Sequence, residues 1–207
     1  MKRFKMTDDK LAVIGLGSIG SMALWQASRL SDSVTGFEAA SPAHGRSAVG
    51  GDSRLFRMIY RATPGYYPIL DRSRDLWAEL VAESGQNMLT RCGGLSIGTK
   101  GGPYINSVLE TTRLNGAEHV ILSRAEMAER YPQHNLRPHD IAVNDPKAGA
   151  LRTDRAVTAA VATAEANGAT VHTNTPIGRP PWMGSPSRQP WMAAAYQHRT
   201  RTPCPGN

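Results

Sequence analysis

The chain has 207 residues, 40% of them hydrophobic and 20% charged, enough for one ordinary domain or one and a half small ones around a buried core. That composition excludes a disordered or fibrous class, and no apolar run reaches the ~20 residues a membrane-crossing helix needs. The net charge of +7 suggests a nucleic-acid partner, but residues 178–207 hold four arginines and no acidic residue. The rest of the chain shows no basic helix and no aromatic-basic face, so a nucleic-acid partner is not expected. The start, Met1-Lys2-Arg3-Phe4, is basic but leads to Thr7-Asp8-Asp9-Lys10 rather than to an apolar signal core. A cytoplasmic location and no membrane partner are therefore expected. Cys92 and Cys204 give neither a disulfide framework nor metal spacing, and the six histidines are scattered, so no metal is expected.

In chain order, residues 10–14 (Lys-Leu-Ala-Val-Ile) form a short apolar run ending at a glycine, which fits a buried parallel strand. Residues 18–30 carry apolar residues at helical spacing, and 33–37 read as a second strand ending at Glu38. A loop of small residues, 39–52, precedes an ordered stretch at 53–60. Residues 66–84 read as a helix with Tyr67, Leu70, Leu76, Trp77 and Leu80 on one side, Pro68 in the first turn and Gly85 as the stop. Residues 89–98 look like a strand region broken at Gly93-Gly94, and 104–115 look helical. Ser123-Arg124-Ala125-Glu126 has the capping-box pattern of a short helix ending near Tyr131-Pro132. Short strands are expected at 141–143 and 150–152. Residues 153–167 read as an alanine-rich helix with Thr153 as N-cap and Gly168 just past the end, and 169–173 as a further strand. From 178 onward there are six prolines and two tryptophans but no Leu, Ile or Val. Such a stretch cannot bury enough apolar surface to offset its ordering entropy. It reads as a disordered tail or, preferably, as out-of-frame sequence, because the break falls where a helix–strand unit should continue.

Gly15-Leu16-Gly17-Ser18-Ile19-Gly20 is a G-x-G-x-x-G loop with a strand before it, a helix after it and an acid, Glu38, 18 residues beyond Gly20. That context makes it a dinucleotide-binding fingerprint. Gly15 permits the tight turn, Gly17 lets the backbone approach a pyrophosphate, and Gly20 lets the helix pack on the strand. The helix N-terminus presents free N–H groups to the phosphates. Glu38 can accept hydrogen bonds from ribose hydroxyls, and its charge disfavours a 2′-phosphate. The fingerprint serves FAD and NAD alike. Arg54 and Arg57, three residues apart, are suited to neutralise a reduced cofactor and to grip a carboxylate. They read equally well as solvated arginines of a basic chain.

Residues 13–38 and 42–60, above all Gly51-Asp52-Ser53-Arg54-Leu55-Phe56-Arg57, resemble the monomeric sarcosine oxidase and N-methyl-L-tryptophan oxidase family of D-amino-acid-oxidase-like FAD-dependent oxidoreductases. The resemblance extends through Tyr67-Pro68-Ile69-Leu70, Leu76-Trp77, residues 90–98 and residues 168–175. It implies an α/β fold: a Rossmann-like FAD-binding domain with part of an α+β substrate domain, the C-terminal portion of the fold being absent. The implied division is 1–88 (FAD-binding), 89–150 (partial substrate domain), 151–177 (returning FAD-binding segment) and 178–207 (tail). FAD would be held non-covalently by Gly15, Gly17, Ser18, Ile19, Gly20 and Glu38. Ser53 and the catalytic Arg54 would lie against the flavin, Ile177 near the adenine, and Arg57 on the substrate carboxylate.

The implied reaction is that of an FAD-dependent amine oxidase acting on CH–NH donors. A small N-methyl or secondary amino acid would be oxidised with O2 to an imine and H2O2. Three departures stand out. Gly50 occupies the place where the family often has histidine. Nothing after Ile177 matches the family's second half, which carries a catalytic lysine and, in many members, a flavin-linked cysteine. Cys204 lies in the wrong context for that role, and Cys92 reads as a small packing residue. Reduced or absent activity is therefore expected. The alternatives are an NAD-dependent Rossmann dehydrogenase and a non-catalytic dinucleotide-binding fragment.

Overall fold

A computed structural model describes residues 10–48, 51–61 and 64–178. Gly50, Cys204 and all but the first residue of the proposed tail lie outside the described residues. The chain divides into two units, Met1–Thr175 and Pro176–Asn207, and the fold described below is that of the first.

The elements in order are β1 (Leu11–Ile14), α1 (Ser18–Ser28), β2 (Val34–Phe37), β3 (Ser53–Phe56), a 3-10 turn (Pro64–Tyr66), α2 (Tyr67–Ser84), β4 (Leu89–Thr90), β5 (Gly94–Thr99), α3 (Pro103–Asn115), β6 (Val120–Leu122), α4 (Arg124–Arg130), β7 (Asp140–Asp145), β8 (Gly149–Arg152), α5 (Thr153–Ala166) and β9 (Thr170–His172). They form three small sheets. The first is parallel, in the order β1-β2-β9, with Ile14 opposite Phe37 and Phe37 opposite His172. The second is antiparallel, β3-β8-β4, and the third is antiparallel, β5-β7-β6.

Helix ends follow local chemistry. Pro68 sits in the first turn of α2, where a missing N–H costs nothing, and Gly85 ends the helix at φ 67°. Ser123 and Glu126 form the expected capping box of α4: the Glu126 N–H donates to Ser123 Oγ and the Ser123 N–H to Glu126 Oε2. The N-cap of α5 is Arg152, not Thr153 as expected. The Thr153 hydroxyl donates instead to the Gly51 carbonyl at 2.6 Å, so a distant main-chain acceptor wins over the local cap.

Helix α5 organises the first unit. Val161 and Ala164 pack with Leu16, Leu24, Val34 and Ala169 on the parallel sheet. Ala156, Ala159 and Ala160 pack with Trp25, Leu80 and Met88. Small side chains on α5 let α1 and α2 approach it closely, and burying the larger partners supplies the driving force, about 25 cal/mol per Å² of apolar surface. Trp25 is 2% exposed, and its indole N–H donates to Glu83 Oε2 at 2.7 Å. Arg29 stacks on the same ring at 5.4 Å and pairs with Glu79 at 2.8 Å. Two further clusters pack around β7: Ile59, Ile105, Val108, Ala117 and Val143, and Leu122, Met127, Leu136 and Ala142.

Strand β1 corrects one expectation. Its apolar run predicts burial, yet Leu11 is 38% and Ile14 55% exposed. Among the described residues β1 is paired on one edge only, by β2. Val13 is covered by the α1–α5 core, while the opposite face, with Ile14, has no such cover; Leu11, on the Val13 face but at the first position of the strand, is not part of that core. A parallel strand is buried only where helices lie on both faces.

Candidate functional site

The loop between β1 and α1 adopts the geometry its glycines require. Gly15 has φ +86°, a left-handed conformation that costs glycine little, and its N–H donates to the Phe37 carbonyl at 2.8 Å. At Gly20 a Cβ would lie 1.7 Å from the Gly15 carbonyl oxygen, so only glycine lets α1 rest on the loop. At Gly17 an added methyl would meet no atom within 4 Å, leaving open space beside the helix start. The first intrahelical bond of α1 runs from the Ser21 N–H to the Gly17 carbonyl at 3.0 Å. The N–H groups of Ser18, Ile19 and Gly20 precede it and are available to an anion. Ile19 is 85% exposed at the rim of this space.

Glu38 closes the loop from behind. It is 6% exposed at the end of β2, Oε2 accepting from the Leu16 N–H at 2.7 Å and Oε1 from the Ala40 N–H at 3.1 Å. A carboxylate has about four acceptor sites, so capacity remains for ribose hydroxyls. His44 Nε2 stands 3.6 Å from Oε1. An open glycine loop, unpaired helix N–H groups and an acid with spare acceptor capacity fit a dinucleotide.

The second predicted stretch leads into and forms β3. Gly51 has φ +106°, and its carbonyl is held by Thr153. The Asp52 carbonyl accepts from the Thr153 N–H at 3.2 Å, and its carboxylate pairs with Arg152. These contacts fix Gly51-Asp52 on the first turn of α5, whose later residues pack against Leu16 and Leu24. Helix α5 therefore ties both motif segments to one rigid element. Ser53 and Arg54 are exposed, and Arg54 Nη1 donates to the Ser53 carbonyl at 2.7 Å. Arg57 follows the strand, its guanidinium carbon 4.6 Å from the Tyr60 ring centroid and its buried Nε without a hydrogen-bond partner. A guanidinium stacked on an aromatic face keeps its edge free for a carboxylate.

Other expectations fare differently. Cys92 is exposed rather than a packing residue, because the β4–β5 link carries it past the core. Ile177, 42% exposed, belongs to the second unit. Among the described residues no cluster of His, Cys, Asp or Glu could hold a metal, and no helix is long and apolar enough to cross a membrane. A cavity of about 790 Å³ between α2 and α5 is lined by Glu83, Gln86, Asp154, Arg155, Thr158 and Asn167, and none of the predicted site residues reaches it. Sequence reading missed Thr153, Arg152, Tyr60 and the buried Asp145. The only local signal for Asp145 was the turn dipeptide Asp145-Pro146 after an apolar strand.

Comparison with known proteins places this geometry. A family model described as FAD dependent oxidoreductase matches residues 10–181. Monomeric sarcosine oxidase from Streptomyces avermitilis is 32% identical over 167 residues, 81% of this chain and 44% of the relative. N-methyl-L-tryptophan oxidase from Yersinia pestis is 28% identical over 170 residues, 82% of this chain and 46% of the relative. The chain thus spans less than half the length of these curated relatives. Among solved structures, L-proline dehydrogenase from P. horikoshii shares the fold with a TM-score of 0.68 at 19% identity, covering 83% of this chain and 46% of that one.

Proposed function

The chain belongs to the FAD-dependent oxidoreductase family, and from that premise we propose that it serves the oxidation of an N-methyl or other secondary amino acid, sarcosine-like or N-methyltryptophan-like, with O2 as oxidant and H2O2 as product. One observation carries this reading: the glycine loop with Glu38 behind it and the Gly51–Arg57 stretch are mounted on the same helix, α5. FAD, when bound, supplies the two-electron acceptor. The chain's own residues bind and orient. The N–H groups of Ser18, Ile19 and Gly20 take the pyrophosphate, and Glu38 takes the ribose hydroxyls. Ser53 and Arg54 would lie against the flavin, where the Arg54 charge would favour negative charge on the reduced cofactor. Arg57 grips the substrate carboxylate, which fixes the α-amino group relative to the acceptor.

Binding is non-covalent in this reading. The proposed division into FAD-binding (1–88 and 151–177) and substrate (89–150) parts is supported by the third sheet, since β5, β6 and β7 pair only with one another among the described residues, whereas the β3-β8-β4 sheet bridges the two parts. Because the relatives are more than twice as long as the stretch matched, weak or no turnover is expected of these 207 residues alone.

The test is anaerobic addition of sarcosine or N-methyl-L-tryptophan to FAD-loaded protein. Bleaching of the flavin, followed by peroxide on admitting air, supports the proposal. Because loss of turnover alone is expected of these 207 residues, the substrate class is contradicted by FAD-loaded protein whose flavin spectrum neither substrate alters, by bleaching or by a binding shift.

A further inference from the structure

Resting on the reading that Arg57 binds the substrate carboxylate, we propose that Asp145 is the positioning residue for Arg57: a buried carboxylate that fixes the main chain carrying the arginine and so sets affinity for the substrate's carboxylate. Asp145 ends β7 and is 5% exposed. Its Oδ2 accepts from the Met58 N–H at 2.8 Å and the Ile59 N–H at 3.2 Å, while Oδ1 accepts from the Lys147 N–H at 3.1 Å. Among the described residues its partners are therefore main-chain groups, and the neighbouring Lys147 ammonium turns to Glu118 at 3.6 Å. A buried carboxylate without a cation persists only where N–H donors replace its water.

The place of those donors matters. Residues 57–60 leave β3 after the Phe56–Gly149 pair and enter no helix or strand, so no ladder fixes them. Met58 and Ile59 lie between Arg57 and Tyr60, the ring on which the Arg57 guanidinium stacks. Two hydrogen bonds to one oxygen fix the peptide planes between the arginine and its aromatic support. Asp145 is itself held from both sides. It lies opposite Gly94 in the β5–β7 ladder, and its carbonyl accepts from the Ala148 N–H at 3.2 Å in the turn that leads to β8. Strand β8 pairs with β3, so the mount is referenced to the strand that carries Ser53 and Arg54. A residue 87 positions from Met58 in sequence thus dictates where Arg57 stands.

The experiment compares FAD-loaded wild type, Asp145→Ala, Asp145→Asn and Arg57→Lys, with sarcosine as probe. Sarcosine affinity and FAD affinity are each titrated. Exchange of the Met58 and Ile59 amides and the Arg57 Nε–H resonance are followed by NMR. Asp145→Ala is expected to lose protection at both amides, to shift the Arg57 resonance and to weaken sarcosine about tenfold, with FAD affinity unchanged. Asp145→Asn, which keeps one acceptor but turns an N–H2 toward the other donors, should fall measurably between wild type and Asp145→Ala in amide protection and in sarcosine affinity, and it carries the test if the alanine variant fails to fold. Unchanged sarcosine affinity in the Asp145 variants, or a parallel fall in FAD affinity, overturns the proposal. Arg57→Lys separates the two ideas. If it leaves sarcosine binding intact, or if wild type binds neither sarcosine nor N-methyl-L-tryptophan, the carboxylate reading itself fails and the role of Asp145 falls with it.

Discussion

Substitution of Gly20 by alanine, set beside the same change at Gly17, separates packing from ligand binding within one loop. A methyl at Gly20 would sit 1.7 Å from the Gly15 carbonyl oxygen, roughly half of van der Waals contact distance. The obstructing atom is backbone, inside a turn pinned by the Gly15–Phe37 hydrogen bond, so it cannot swing away as a side chain would. Helix α1 has to lift from β1, carrying Leu24 out of its core. Overpacking of this kind costs about 1–3 kcal/mol and occasionally more, a large share of a typical domain's roughly 5–15 kcal/mol. At the upper figure Tm falls by roughly 6–12 °C for a chain of this size. At Gly17 the same methyl meets no atom within 4 Å, and φ is −72°. Alanine there should change stability by less than about 1 kcal/mol, the unfolded-state gain being offset by loss of a favoured N-cap residue, yet remove FAD binding by filling the pyrophosphate's approach. Thermal melts and flavin-fluorescence titration of both variants provide the assay. A Gly20→Ala protein that melts with wild type refutes the packing, and a Gly17→Ala protein that binds FAD normally refutes the placement of the ligand.

Leu24→Ala empties a fully buried site between α1, β2 and α5 and should cost about 2–5 kcal/mol in urea denaturation; a loss below about 1 kcal/mol contradicts the core assignment. Ser123→Ala removes the capping box of the seven-residue helix α4 and should cost about 1 kcal/mol, with Ser123→Asn restoring most of it in the same melts. The Glu79 carboxyl is held below its ordinary range by hydrogen bonds from Arg29 and then Arg72. A lowered folded value means that its contribution is present above the unfolded carboxyl value, about 4.3, and is lost as pH falls through the folded one. The stability difference between wild type and Glu79→Gln should therefore shrink on acidification. An equal difference at neutral and strongly acidic pH would show that the Arg29–Glu79–Arg72 network contributes nothing through charge.

Much of the fold was legible because its signals are local. The glycine loop, the Ser123–Glu126 box, Pro68 and Gly85 each act within a few residues, and each is found where the spacing puts it. Failures came where a distant partner decides. The hydroxyl of Thr153 is drawn to a carbonyl 102 residues away, and the N-cap position falls on Arg152 instead. The Leu11–Ile14 run shows that β1 suits a buried position but not what covers it. Strand β6 has three residues, too few to show a period, and exists through its pairing with β7. In the candidate site, Arg54 and Arg57 were legible as residue types, and Arg57's setting was not. Its stacking on Tyr60 depends on a main-chain path held by Asp145, and no spacing rule links positions 57 and 145.

The most direct measurement is the visible absorbance of the purified chain after incubation with FAD and gel filtration, repeated on the filtrate after acid denaturation. The account predicts flavin absorbance that co-elutes with the protein and passes wholly into the filtrate, as a non-covalent dinucleotide site requires. A colourless folded protein that takes up NADH and not FAD would contradict it.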